Sequence, residues 1–233
     1  MAMMKKRGGE EGHEENIFWV TMSDLMLGLS IVFMTLFVLA MTGFTQQKIE
    51  QKQVQIEKSK ELMKELDEAN IKAEVDSLTG DVKISDLELF ELNSYTLSDN
   101  GKAYLDKLVP IYINNIFSSE KLTKNVENLV IQGHTDSQSN RSLKSADEQY
   151  MYNMQLSLQR ANSVADYIFK TNFNKEYSDD LMKILVVEGK SFSEPILVDG
   201  VEDYDKSRRV EMRMNLKRYD LVDIFFKGGV END

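Results

Sequence analysis

The feature that most constrains this chain is an apolar run near its N-terminus. From Ile17 to Phe44 the only charged residue is Asp24. A helix of this length extends roughly 40 Å, which exceeds the ~30 Å hydrocarbon core of a bilayer. The run continues past the length of a signal peptide and shows no clear cleavage pattern. We therefore predict one permanent transmembrane helix over residues 17–44, preceded by an N-terminus of residues 1–16.

The composition excludes several classes of protein. The 233 residues include 39 Asp and Glu against 28 Lys and Arg, a formal net charge of -11, so nucleic acid is not expected as a partner. The chain has no cysteine. This excludes disulfides, a cysteine-based metal site and a lipid-anchored cysteine.

The segment after the apolar run, residues 45–75, contains neither Gly nor Pro and is rich in helix formers. A helix is therefore predicted to continue beyond the membrane. Apolar residues recur in it at heptad spacing: Ile49, Ile56, Met63 and Leu66. Lys52 and Ser59 occupy the partner positions of that heptad. The linker is therefore either a weakly specified dimer seam or a solvated helical spacer.

Beyond Val75 the sequence changes to short alternating elements. A hairpin is predicted around Thr79-Gly80-Asp81 and a helix from about Ser98. The other predicted elements are the strand "VENLVIQGH", the helix "NMQLSLQRANSVADYIFK" with Leu156, Ala161, Val164 and Ile168 inward, the strand "MKILVVEGK" and the alternating strand "RRVEMRMNL". The predicted fold class is mixed α/β, with a domain over residues 76–220 and a tail over residues 221–233.

Four blocks in this domain carry a family resemblance. They are "VIQGHTDSQ", "YNMQLSLQRANSVADYI", "VVEGKSFSEPI" and "KSRRVEMRM". In these blocks, which cover most of residues 85–215, the chain resembles the OmpA-like peptidoglycan-binding family. That family binds the diaminopimelate of the peptide stem, whose carboxylate and ammonium lie side by side. The resemblance implies that Arg160 holds the carboxylate through its bidentate fork and that Asp136 holds the ammonium. It also implies that three further residues shape the groove: Tyr152, Asn153 and Leu156.

Other interpretations of these residues remain open. Asp136 and Arg160 could pair with each other as a surface salt bridge. Leu156 lies on an apolar helical face and could be a core residue. His134 has no metal partner at a suitable spacing, so we expect it to structure its loop.

Two neighbouring segments also bear on the groove. Residues 137–151 are predicted to form a loop that is longer than usual in the family, and it could shade the groove, extend it or bind something else. Arg208 and Arg209 open the last predicted strand. We expect one of them to face inward against an acid, in a structural role.

Asp24 requires an explanation, because an acid in hydrocarbon costs on the order of 2.5–3.5 kcal/mol on insertion scales. In one interpretation, Ser23 caps the helix and Asp24 lies in its first turn. In the other, Asp24 lies roughly 8 Å below an interfacial belt formed by Phe18 and Trp19. Its helical face is mostly small and polar, with Thr21, Gly28, Thr35 and Thr42 beside Ile31. A membrane carboxylate on such a stripe is a candidate for relaying ions.

The whole arrangement resembles the B subunits of ion-driven stator motors, of which the flagellar MotB-like proteins are familiar members. The "SDLMLGLSIVF" stretch and the compact chain are closer to the ZorB subunits of Zorya anti-phage defence. The resemblance implies that Asp24 relays a proton or a sodium ion and that the chain is not an enzyme and holds no cofactor. It also implies a homodimer with a polytopic A-subunit partner of the ZorA/MotA type.

Peptidoglycan binding also implies an orientation. Lys5, Lys6 and Arg7 before the helix favour a cytoplasmic N-terminus only weakly, because lysines also follow the helix. A domain that binds the wall must be periplasmic, which implies a single pass through the inner membrane with the N-terminus in the cytoplasm. The alternatives are a flagellar B subunit and a passive anchor between inner membrane and wall.

Overall fold

A computed structural model of the chain describes residues 11–91, 94–138 and 145–217, with side chains from Ile17 onward. The chain divides into two compact units, with the boundary between Ile49 and Glu50. The predicted tail, residues 139–144 of the predicted loop and the first ten residues lie outside the described residues.

The first unit contains the N-terminal part of helix α1 (Glu11–Glu68). Among the described residues, α1 is the one helix that is long and apolar enough to cross a membrane. No part of its apolar window is buried within the protein. Every side chain from Ile17 to Leu39 is exposed, which suits a segment surrounded by lipid.

The last turns of α1 belong to the second unit and pack into its core. Leu62 and Leu66 are each 2 % exposed. The Gln55 side-chain amide donates a 2.9 Å hydrogen bond to the carbonyl of Thr79 in the following hairpin turn. The interpretation of this stretch as a solvated spacer is therefore wrong, because its C-terminal part covers the sheet domain.

The helix ends at Glu68, seven residues short of the predicted end at residue 75. Asn70 adopts a left-handed backbone conformation with φ 54°. The N–H of Ile71 donates to the carbonyl of Leu66 at 2.9 Å. This is the hydrogen-bond pattern by which a left-handed residue terminates a helix, and asparagine tolerates that conformation.

The second unit contains a mixed α/β domain. Its strands are β1 (Glu74–Val75), β2 (Val82–Ser85), β3 (Val126–His134), β4 (Leu185–Gly189), β5 (Leu197–Val198), β6 (Val201–Glu202) and β7 (Arg209–Leu216). Its helices are α2 (Asp86–Leu89), α3 (Asp99–Phe117), α4 (Glu120–Asn125), α5 (Ala146–Ile168), α6 (Ser178–Ile184) and α7 (Tyr204–Ser207), with a 3-10 turn at Lys175–Tyr177.

Five of the strands form one sheet in the order β1-β2-β7-β3-β4. Neighbours are antiparallel except β3 and β4, which are parallel and are connected through α5. Helix α5 packs on this parallel pair and buries Ala161, Val164 and Ile168 completely, as its periodicity predicts. The predicted hairpin is confirmed as β1-β2. The fold class is mixed α/β, as expected.

Two predicted strands need correction. The strand predicted over "MKILVVEGK" begins only at Leu185, because the preceding residues form α6. The last strand does not alternate, since Arg209 to Met212 are all buried. This strand, β7, lies between β2 and β3 in the sheet. On one of its faces Arg209 Nε pairs with Glu211 Oε1 at 2.5 Å. Arg209 is thus the arginine that faces inward against an acid.

Candidate functional sites

A cleft of about 510 Å³ lies where β3 ends, between α2 and α5. Every groove residue named from the sequence lines it: Asp136, Tyr152, Asn153, Leu156 and Arg160. Sequence reasoning did not name seven other lining residues, among them Asp86, Phe90 and Thr135, and it gave Arg208 only a structural role. The cleft therefore gathers residues from four separate parts of the chain.

Arg160 is held in a fixed position at the base of the cleft, where it is 3 % exposed. Its Nη2 lies 3.1 Å from Asp86 Oδ2, and its Nε donates a 3.0 Å hydrogen bond to the carbonyl of Ser94. Its guanidinium lies over the ring of Phe90, 5.4 Å from the centroid. A guanidinium that is already held on several sides loses little further conformational freedom when it binds a carboxylate.

Asp136 does not pair with Arg160, so the predicted alternative of a direct salt bridge between them is wrong. Its Oδ1 accepts a 3.2 Å hydrogen bond from the backbone N–H of Gln138. Its Oδ2 pairs with Arg208, which also pairs with Asp205. Each predicted charge in the cleft therefore has a partner that the motif did not indicate.

Among the residues that the structure describes, three buried polar atoms of cleft side chains have no hydrogen-bond partner: Asp86 Oδ1, Thr135 Oγ1 and Asn153 Nδ2. The residues that carry them are 7 %, 4 % and 5 % exposed. A buried polar group without a partner costs about 1–3 kcal/mol. Such groups are rare in folded proteins, and three of the seven found among the described residues belong to side chains that line this cleft.

Electrostatics at the cleft are set by burial and by the Arg160–Asp86 pair. Burial raises the pKa of Asp86, and the guanidinium of Arg160 opposes this shift. Burial lowers the pKa of Arg160, and the carboxylate of Asp86 opposes it. Positive and negative charge thus lie side by side at reduced solvation, an arrangement that complements a zwitterion.

The wall of the cleft is formed by the N-terminal half of α5. The Ser145 side chain accepts a 3.1 Å hydrogen bond from the N–H of Glu148, which caps the helix. Residues 146–151, predicted as loop, are therefore helical, and the "SADE" capping pattern could have shown this. Leu156 is half-buried and lines the cleft, so it is a groove residue rather than a core residue.

His134 is the last residue of β3 and does not lie in the following loop. It is 1 % exposed, and within the described ranges neither ring nitrogen has a hydrogen-bond partner, although Nε2 lies 3.9 Å from Glu211 Oε1. Burial, with Arg209 nearby, lowers its pKa to about 4, so the ring is neutral at pH 7. The expected loop-structuring role is therefore not what the structure shows.

Asp24 lies well inside α1, which begins 13 residues earlier at Glu11. The capping interpretation is therefore wrong, because the first turn ends long before Ser23. Thr21 and Thr42 donate their hydroxyls to the carbonyls of Ile17 and Val38, at 2.9 and 2.8 Å. Within the part of the chain that the structure describes, no group hydrogen-bonds to the Asp24 carboxylate.

The chain belongs to the OmpA family, whose pattern matches residues 89–209, more than half of the 233 residues. The match includes nearly the whole cleft, from Phe90 to Arg208, and leaves out Asp86.

Within that class the chain is similar over almost its full length to two curated relatives, each named Zorya protein ZorB. The protein of Escherichia coli O139:H28 is 26 % identical over 224 residues, which cover 91 % of this chain and 84 % of the relative. That of the Escherichia coli Crooks strain is 29 % identical over 212 residues, covering 86 % and 88 %.

A solved structure supports the fold. The putative MotB-like protein from Desulfovibrio vulgaris superposes with a TM-score of 0.51 at 18 % identity, covering 75 % of this chain and 98 % of that structure. The chain is therefore a member of the OmpA family that is similar in sequence to ZorB and shares the fold of a MotB-like protein.

Proposed function

We propose that the chain is the peptidoglycan-anchored B subunit of an ion-driven membrane motor that serves Zorya anti-phage defence. The observation that carries the proposal is the cleft. All five motif residues line it, the buried Arg160 among them, together with side chains that carry unsatisfied polar atoms. The similarity to ZorB supports the choice of a defence motor over a flagellar one.

The domain anchors the motor by binding the peptide stem of peptidoglycan. The diaminopimelate of that stem carries a free carboxylate and a free ammonium on one carbon. Arg160 presents a fixed, bidentate donor to the carboxylate, and Asn153 lines the cleft on the same helix. The family resemblance assigns the ammonium to Asp136.

The helix provides the ion-binding part of the mechanism. Asp24 accepts and releases a proton or a sodium ion on a face that packs against a polytopic A subunit of the ZorA/MotA type. The helix crosses the inner membrane once, with the N-terminus in the cytoplasm and the OmpA domain in the periplasm. Two copies form the unit that the wall holds still while the A subunits turn.

Arg160→Ala is expected to reduce retention of the protein on purified peptidoglycan by tenfold or more. Loss of the guanidinium removes charge-assisted hydrogen bonds worth about 1.5–3 kcal/mol each. The measurement is co-sedimentation of the full-length protein in detergent with isolated sacculi, and Asn153→Ala should show a smaller loss.

Gln159→Ala is the matched control, because Gln159 is the exposed neighbour of Arg160 on α5 and lies outside the cleft. It should sediment like the wild type. Arg160→Lys keeps the charge beside Asp86 without the fork, which separates lost binding from lost folding. Wild-type sedimentation by folded Arg160 variants would reject wall binding through this cleft.

A disulfide between two copies is expected when Ile49 is replaced by cysteine. Ile49 is 52 % exposed on the heptad stripe with Ile56 and Met63, whereas Leu66 is withdrawn into the domain core. Because the chain has no cysteine of its own, any crosslinked dimer on a non-reducing gel reports the introduced site.

Gln47→Cys is the control for this crosslink. Gln47 is also exposed, and two residues of helix place it roughly 160° around α1 from Ile49. The Ile49→Cys protein should crosslink much faster than the Gln47→Cys protein in membranes that contain the A subunit. Equal rates would argue against a paired seam at this position.

A further inference from the structure

Ser191 has an unusual backbone conformation for a buried serine. It lies two residues after the end of β4, is 0 % exposed and has φ 53°. The other non-glycine residues with positive φ among the described ones, Asn70 and Asp199, are exposed and are of types that tolerate this region. Serine has no such tolerance, so its conformation costs free energy that the surrounding contacts must offset. Strained residues of this kind concentrate at functional sites.

The hydrogen bonds of Ser191 join the two walls of the cleft. Its carbonyl accepts a 2.9 Å hydrogen bond from the N–H of Thr135, which directly precedes Asp136. Its N–H donates a 3.1 Å hydrogen bond to the hydroxyl of Ser157 on α5. Its own hydroxyl donates a 3.1 Å hydrogen bond to the carbonyl of Tyr150, in the first turns of the same helix. Each of its three polar groups therefore has a partner, one on the Asp136 side and two on α5.

The cleft needs its two walls at a fixed spacing, because it draws its binding groups from both. Asp136 belongs to the segment after β3, whereas Asn153, Leu156 and Arg160 belong to α5. A ligand held from both sides is bound more tightly when the two sets of groups are already in place before it arrives. Ser191 does not line the cleft, so it can affect binding only through the residues that it holds.

We propose that Ser191 is a positioning residue of the cleft, whose hydroxyl fixes the first half of α5 relative to Asp136. Its two backbone hydrogen bonds are available to any residue at this position, so the hydroxyl is the group that a substitution removes. The strained backbone is the conformation in which all three polar groups reach their partners. The inference rests on the proposed binding of the peptide stem and adds a residue to that same site.

Ser191→Ala and Ser191→Gly test the proposal together. Both remove the hydroxyl, but they differ in strain, since glycine adopts positive φ freely and alanine does not. Apparent affinity is measured by co-sedimentation of the full-length protein in detergent over a series of concentrations of isolated sacculi. Both variants should bind roughly threefold or more weakly than the wild type, the effect of one neutral hydrogen bond, and by the same factor. The alanine variant should nevertheless unfold at a lower denaturant concentration than the glycine variant.

Ser193→Ala is the matched control. Ser193 lies in the same loop and is exposed, and its hydroxyl donates at 2.7 Å to the carbonyl of Lys190 rather than to α5. It should bind sacculi like the wild type. Wild-type affinity in a folded Ser191 variant would overturn the inference. Affinities that follow the stabilities of the two Ser191 variants would overturn it as well, because that order indicates a purely structural role. If Ser191→Ala does not fold, the unstrained Ser191→Gly protein alone decides the question.

A double variant shows whether the hydroxyl acts through α5. Asn153 lies three residues after Tyr150, so the two are neighbours on the same helical turn. If the hydroxyl positions this turn, Ser191→Gly combined with Asn153→Ala should lose less affinity than the product of the two single losses. A combined loss equal to that product would mean that the two residues act independently, which contradicts the proposal.

The same measurements separate this inference from the proposed function. Wild-type protein that does not sediment with sacculi, or sedimentation that is unaffected by Arg160→Ala, would reject wall binding altogether. Arg160-dependent sedimentation that is unchanged in both Ser191 variants would leave wall binding intact and reject the role of Ser191.

Discussion

Asp24→Asn is expected to produce a complex that reaches the membrane in normal amounts and has lost its ion-dependent activity. Asparagine keeps the size of aspartate and most of its hydrogen-bonding capacity, but it cannot carry the negative charge that binds an ion. The Asp24 side chain makes no hydrogen bond within the described residues, so its replacement removes no contact from the fold. The measurement is phage protection in a plaque assay, paired with quantification of the complex in membranes.

Ser23→Ala is the control for this experiment. Ser23 neighbours Asp24, lies equally far inside α1 and makes no side-chain hydrogen bond among the described residues. It should protect like the wild type. Full protection by Asp24→Asn would end the motor proposal and would favour the passive anchor. Absence of the variant from membranes would instead assign Asp24 a role in assembly.

Gly133→Ala is expected to prevent the OmpA-family domain from folding. A Cβ atom on Gly133 would lie 2.0 Å from the carbonyl oxygen of Ser157 on α5. The atom in the way belongs to the backbone of a packed helix, so relief requires α5 to move off β3. A loss of more than about 4 kcal/mol is expected, a large part of the 5–15 kcal/mol that stabilises a typical domain.

Gly200→Ala provides the comparison for this prediction. Gly200 has φ 81°, but no atom lies within 4 Å of the Cβ it would acquire. It should cost only about 1 kcal/mol, the strain of a left-handed alanine. Near-UV circular dichroism of the tyrosines during denaturation measures both variants, since helix α1 would dominate the far-UV signal. A Gly133→Ala protein that unfolds at the wild-type denaturant concentration would contradict the role given to this glycine.

The groove residues could be predicted because the family resemblance implies them, and most of them lie close together in the sequence. Asn153, Leu156 and Arg160 recur at spacings of three and four, which puts them on one face of a helix wherever that helix lies. Asp136 follows a strand whose apolar pattern is unambiguous. The mixed α/β class follows from the same patterns, and the structure agrees with it.

The ends of the elements were harder to predict, because they depend on neighbours. Leu62 and Leu66 are two apolar residues in a charged helix, and only the sheet beside them makes them core residues. The buried run from Arg209 to Met212 does not alternate because β7 is a central strand. The start of α5 is different, because its capping pattern at Ser145 is local and could have been recognised in the sequence.

By itself the sequence determined that this chain has a long apolar helix with one acid in it and the four sequence blocks of the OmpA family, because both are legible from residues near one another in the chain. Only the tertiary structure decided which charges meet. Asp86 lies 74 residues before Arg160 and pairs with it, while Asp136 pairs with Arg208 instead. Ion pairs are set by distances of a few ångströms between segments remote in sequence, and no spacing along the chain encodes those distances.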